Sequence, residues 1–217
     1  AIGRQALLTN TTGNYNVAVG VNALYQNTTA SNNTACGNSS LAANTTGAYN
    51  SACGANAADA NTTGQNNTAM GADALGANTT GSHNTACGSS ALGANTTASE
   101  NTAVGRHALL NNTTGEENVA LGAYALYTMD GASHNTAVGK SSLYAVTNGN
   151  NNTAVGRNAG ASITGGNYNT AIGAYALDAM TTGDSNTAVG YIALGKNTTG
   201  IRNVALGRSA GQEVTTS

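Results

Sequence analysis

No proline, phenylalanine or tryptophan occurs in the 217 residues of this chain, and only 7% of them carry a formal charge. An ordinary globular domain is about one-quarter charged and fills its core with large apolar side chains. Without big aromatics, a wide core is excluded. Ala, Gly, Asn and Thr, with a thin supply of Val, Ile and Leu, suit a narrow core repeated many times. Seven Lys and Arg against nine Asp and Glu leave a net charge of −2. That balance offers no basic stripe for phosphate and argues against a nucleic-acid partner. No apolar run approaches the roughly 20 residues of a membrane span, so no membrane insertion is expected within this segment. The chain starts mid-repeat at Ala1 and stops mid-repeat at Ser217 with no signal peptide in view. It reads as a processed product or an excised fragment of a longer protein.

What is present is periodic. Glycine recurs at Gly3, Gly20, Gly37 and onward to Gly207, always 17 residues apart. Counting each coil from the Asn of Asn-Thr-Ala-Val-Gly makes these glycines position 5. Position 1 is Asn from Asn16 to Asn203, and position 3 is Ala from Ala1 to Ala205. Position 8 is Ala or Ser, position 9 is mostly Leu, and positions 12 to 15 commonly read Asn-Thr-Thr-Gly. A fixed period with invariant small residues means that equivalent residues stack in files, each coil hydrogen-bonded to the next at about 4.8 Å. Glycine in every coil, Asn-Thr-Thr runs and the lack of a 3.6-residue period oppose a helix. Asn-Thr-Thr-Gly and the position-5 glycine supply corners, and a file of identical amides suits coil-to-coil bonding. The expected fold is all-β, a parallel β-solenoid (β-roll or β-helix) of thirteen 17-residue coils in one repeat domain over residues 1–217.

Side chains alternate across a strand. Positions 3 and 5 share one face of the Thr-Ala-Val-Gly strand, and positions 2 and 4 share the other. Position 4 is apolar throughout: Val19, Cys36, Cys53, Met70, Cys87, Val104, Leu121, Val138, Val155, Ile172, Val189 and Leu206, after Ile2. One face packs across the thin coil against positions 8 and 9. The other needs a second layer, because an aliphatic file left open is a larger apolar patch than soluble monomers show. The position-4 file is therefore expected at an interface between copies. A wider single-chain coil that tucks position 4 inside is the alternative.

Val17-Ala18-Val19-Gly20, Val119-Ala120-Leu121-Gly122 and Val204-Ala205-Leu206-Gly207, with the Asn-Thr-Ala-Val-Gly copies between them, resemble the Ser-Val-Ala-Ile-Gly repeats in the heads of YadA-like trimeric autotransporter adhesins. They are also similar to repeats of phage and cyanobacterial tail-fibre-like proteins. The resemblance covers essentially the whole chain, although the period is longer than the usual adhesin head repeat. It implies a left-handed parallel β-roll, a homotrimer with position 4 at or near its axis, and an extracellular place on a cell or virion surface.

Several residues invite more specific readings. Cys36, Cys53 and Cys87 share position 4 with Val and Met, so they read as small hydrophobes, with no zinc site expected. His83, His107 and His134 fall on different coils and read as solvated surface groups. Asn-Thr-Thr is a glycosylation sequon at Asn10, Asn27, Asn44, Asn61, Asn78, Asn95, Asn112 and Asn197, either corner chemistry or a row of glycans along one edge. Met129, Val146, Ile163 and Met180 replace that Asn in four consecutive coils, making either a half-buried position or a lateral contact site for another rod or a ligand. Arg4, Arg106, Lys140, Arg157 and Arg208 share position 6, a solubilising face or a groove for an acidic ligand. No catalytic grouping recurs and no cofactor is expected. The leading expectation is a structural, adhesive extracellular fibre whose partners are itself and a host-surface or matrix glycan or protein. Two rivals stand beside it: a filament subunit stacking end to end from Ser217 to Ala1, and an ice-binding solenoid using the position-13 threonines.

Overall fold

Alternation along Thr-Ala-Val sends one side chain of each short strand inward, and in every coil it is the alanine. The computed structural model describes residues 1–216; the Ser217 end of the stacking expectation lies outside them. The chain divides into two compact units, Ala1–His107 and Ala108–Ser217. The first holds β1 (Val17–Val19), β2 (Thr34–Cys36), β3 (Ser51–Cys53), β4 (Thr68–Met70), β5 (Thr85–Cys87) and β6 (Thr102–Val104). The second holds β7 (Val119–Leu121), β8 (Thr136–Val138), β9 (Thr153–Val155), β10 (Thr170–Ile172), β11 (Thr187–Val189) and β12 (Val204–Leu206). Among the described residues there is no helix. Within each unit the strands lie in chain order and pair in parallel with no slip, alanine opposite alanine, as in Ala18↔Ala35 and Ala154↔Ala171. The fold is a parallel β-solenoid.

Coil-to-coil bonding continues well beyond these three-residue strands. The Thr34 N–H donates forward to the Asn50 carbonyl at 2.9 Å and the Gly37 N–H donates back to the Val19 carbonyl at 2.8 Å. At the corner the same alternation persists, with Asn56 donating back to Asn38 and Ala58 forward to Ala74, both at 2.9 Å. The backbone donors of the bends are thus satisfied by neighbouring coils, which is what lets bends lie over a closed core.

That alternation forces left-handed backbone at positions 7, 9 and 17, including Leu24 at φ 50° and Leu126 at φ 51°. A leucine there costs about 1–2 kcal/mol. Burying its side chain returns about 1.5–3 kcal/mol, and both leucines are fully buried. Packing overrides local preference.

The core is a thin layer of position-3 alanines, position-8 alanines and position-9 leucines, closed on the remaining side by positions 1 and 12. Where Ser40 and Ser142 enter the position-8 file, each hydroxyl donates to an alanine carbonyl, Ala52 at 3.1 Å and Ala154 at 3.0 Å. Gly160 lacks the leucine of position 9, and Ile163 fills the space: a Cβ added at Gly160 would meet Ile163 Cδ1 at 3.0 Å and Leu143 Cδ2 at 2.9 Å. Position 4 faces outward. The wider coil that would enclose it is therefore excluded, and the file from Val19 to Leu206 is no part of the chain's own core.

Candidate interaction surface

In each unit the outward face of the strands is a strip of mostly hydroxyl and aliphatic side chains. In the first unit Val19, Cys53, Met70 and Cys87 are exposed while Cys36 and Val104 are half-buried. In the second, Leu121 is 46% exposed and Ile172 40%, with Val138 and Val189 half-buried between their neighbours. Beside this file run Thr34, Thr68 and Thr85 in one unit and Thr136, Thr153 and Thr170 in the other, so small hydroxyls alternate with methyl groups. The tips stay at the surface, exposed or half-buried, among the described residues.

The two asparagine files are structural. At position 12 the Asn61 Nδ2 donates to the Asn44 side-chain oxygen at 2.9 Å and to the Gly64 carbonyl at 3.1 Å, and the Asn78 Nδ2 donates to Asn61 in turn at 2.8 Å. Asn27, Asn44, Asn61, Asn78, Asn95, Asn112 and Asn197 are fully buried, and Asn10 is half-buried. The expectation of a glycan row is overturned along the buried file: the amide nitrogens of Asn27, Asn44, Asn61, Asn78, Asn95 and Asn112 already donate within the core, and Asn197 is fully buried, so these seven have no room for a sugar.

The apolar stripe is corrected for the same reason. Met129, Val146, Ile163 and Met180 are 0% exposed. Position 12 points inward whichever residue occupies it, so these side chains replace an amide file with a hydrophobic one and offer no lateral contact. The loss of amides is made up next door. Over these coils the position-1 asparagines also bond along their own file, Asn152 to Asn135 at 3.2 Å and Asn186 to Asn169 at 3.0 Å. The sequence showed the substitution; its inward direction follows only from the coil's closure.

Charged and aromatic groups lie on the corner that follows the glycine. In the second unit Arg157 stands over the Tyr175 ring at 4.8 Å and Arg208 over Tyr191 at 5.8 Å, while Tyr127 and Tyr144 stack at 5.2 Å. Tyrosine clustering at positions 6, 7 and 10 was missed from sequence, although spacings of 17 join Tyr127 to Tyr144. His83 and His134 are exposed, and the His134 Nε2 lies 3.6 Å from Glu117. The position-13 hydroxyls, which an ice lattice would need, are spent between coils: Thr62 donates to the Thr79 carbonyl at 2.9 Å and Thr79 to Thr96 at 3.0 Å. No described helix is long and apolar enough to cross a membrane.

Two carboxyls are held away from their ordinary behaviour. Asp59 and Asp178 share position 10 and lie over glycines of the next coil; Cβ atoms added at Gly76 and Gly195 would sit 3.6 and 3.4 Å from their oxygens. Burial pushes both carboxyls above the usual aspartate range, opposed by N–H donation from Asp59 and Ala60 in one case and Asp178 and Ala179 in the other. A pKa raised on folding means that the folded state holds the proton more tightly. The associated stability is complete below the unfolded value and is lost as pH rises through the folded one. Asp59→Asn, which keeps an acceptor for those N–H groups, is therefore expected to raise the unfolding midpoint at neutral pH. After solvent screening the gain is under about 1 kcal/mol, and it should vanish below pH about 4. Thermal melts of both proteins across that range check it.

No protein-family model, curated protein or solved structure matches the chain.

Proposed function

We propose that the chain is a structural and adhesive rod that associates with copies of itself through the strip of positions 2 and 4. Its assembled surface presents the coil corners at a regular repeat. The observation that carries this reading is the outward aliphatic file, paired in register within each unit and left at the surface by the described residues. Alternating threonine and valine at uniform spacing gives a second copy a repeating surface on which to pack. The resemblance to adhesin head repeats favours three copies about one axis and an extracellular setting. Binding to a host-surface or matrix partner would then arise from many weak contacts multiplied by repetition, with no single dominant residue.

Sedimentation equilibrium tests the association directly. The expected mass is three chains for the parent protein and one for Val155→Lys/Ile172→Lys, with the β signal by circular dichroism unchanged. Val155 and Ile172 are at the surface, so the variant should fold while placing charge in the dry seam. A parent that stays monomeric, or a variant that associates as the parent does, defeats the reading. Microscopy of unlimited fibrils would replace it with end-to-end stacking.

A further inference from the structure

Sulfur is concentrated in one place. All three cysteines of the chain and one of its three methionines occupy position 4 of four consecutive coils: Cys36, Cys53, Met70 and Cys87. The strands that carry them pair in register, Cys36 opposite Cys53, Cys53 opposite Met70, and Met70 opposite Cys87. Their side chains leave the core: Cys53, Met70 and Cys87 are exposed, Cys36 is half-buried, and all three thiols are free. The matching file of the second unit, Leu121 to Leu206, has no sulfur. A hydrophobic role alone does not need sulfur at four successive rungs, since Val serves at Val19 and Val104 on either side.

We propose that this run binds a soft, thiophilic metal ion of the Cu(I) class between the Sγ atoms of Cys36 and Cys53, with Met70 and Cys87 forming a second, weaker position. Thiolate and thioether sulfur select such ions over harder ones. Parallel neighbours stand about 4.8 Å apart, close to twice a metal–thiolate bond of about 2.3 Å. An ion set between the neighbouring, co-directed sulfurs therefore bridges both at the strand spacing. The same geometry disfavours rivals. A disulfide requires the two side chains to turn toward one another, whereas in-register parallel neighbours project the same way. A zinc site requires four converging ligands, and no group of three or more His, Cys, Asp or Glu among the described residues could hold an ion. A linear file suits an ion satisfied by two sulfurs.

Binding is a proton exchange with no redox step. One Cu(I) ion displaces the protons of two thiols, forms two metal–sulfur bonds and releases two protons to solvent. Affinity consequently falls as pH falls. The pair lies on a single chain, so the site does not depend on self-association.

The test titrates Cu(I), without oxygen, into the freshly reduced full chain against a chromophoric Cu(I) chelator of known affinity. Variants use valine, the residue the chain itself places at this position, and circular dichroism verifies the fold. The parent is expected to take one ion tightly with release of two protons. Cys36→Val or Cys53→Val should weaken that binding at least about a hundred-fold, while Cys87→Val spares it and removes only the weaker second ion. A Cys36→Val/Cys53→Val protein that competes as well as the parent, or a parent that takes no ion from the chelator, overturns the proposal. Sedimentation of the same samples reads self-association independently, so the two readings fail separately.

Discussion

Gly139→Ala should lower the unfolding midpoint of its unit severely, by about 3–5 kcal/mol of stability, whereas Gly207→Ala should cost about 1–3 kcal/mol. Both glycines hold a backbone conformation that L-residues rarely adopt, at φ +129° and +122°, so both substitutions carry the same local strain of about 1–3 kcal/mol. They differ in what lies above. A Cβ on Gly139 would sit 2.6 Å from the Gly156 oxygen and 2.7 Å from its carbonyl carbon, while one on Gly207 meets nothing within 4 Å among the described residues. The next coil cannot retreat, because the Gly156 N–H donates to the Val138 carbonyl at 2.7 Å and the Gly139 N–H to Leu121 at 2.7 Å. Overpacking of this kind adds a further cost of about 1–3 kcal/mol. The difference between the two variants therefore isolates the coil-to-coil approach from the backbone penalty. Chemical denaturation followed by circular dichroism gives the midpoints. Because neighbouring repeats are coupled, hydrogen exchange should show protection lost in the coils flanking Gly139 first. Equal losses in the two proteins would mean that the glycine file is kept for backbone freedom alone.

The glycine file was also the most legible feature of the sequence, and the reason is physical. A backbone that stacks at β spacing allows no Cβ at that point wherever another coil lies above it, and the left-handed φ recurs even at Gly207, so the requirement repeats and the period can be read directly. The alanine file at position 3 is legible on the same ground, as the smallest side chain that still fills a thin core. Position 12 was not legible. Asn78 and Val146 stand at the same point of different coils, one polar and one apolar, and both are buried. Polarity ordinarily predicts exposure, but an amide whose hydrogen bonds run to its copy in the next coil is as much at home inside as a valine. Sequence reasoning therefore left open whether the sequons and the apolar stripe were corner and half-buried positions or a surface for glycans and lateral contact. The left-handed leucines escaped notice in the same way, since only tertiary packing makes that conformation worth its cost. The outward direction of position 4 was anticipated from alternation, but excluding the wider coil required seeing Leu24 and Leu126 already filling the interior.

Replacing one buried amide should expose how much the solenoid depends on its asparagine files, and pH should tell donor from acceptor. Asn67 at position 1 is buried and works in both roles. Its Nδ2 donates to the Gly81 carbonyl at 2.8 Å, and its side-chain oxygen accepts the Asn84 backbone N–H at 3.0 Å. Asn67→Ala removes both and leaves a buried N–H without a partner, an expected loss of about 2–4 kcal/mol that does not vary with pH beyond the background of the parent. Asn67→Asp keeps the acceptor but turns a second oxygen toward the Gly81 carbonyl. Ionised, that oxygen is desolvated and repelled; protonated, it donates as the amide did. The carboxyl is thus held above its ordinary range in the folded state, and the variant should be most stable below the unfolded value of about 3.9. Its stability then falls as pH rises through the folded pKa, at no more than about 1.4 kcal/mol per pH unit, and levels beyond it. Near neutral pH the aspartate protein should be weaker than the alanine one, and in acid it should approach the parent, so the two variants exchange rank. Denaturant midpoints at a series of pH values, each referred to the parent at the same pH, supply the comparison. If Asn67→Asp stays more stable than Asn67→Ala at every pH with no pH dependence beyond the parent's, the Gly81 contact contributes nothing, and the file is held by its acceptor oxygens alone.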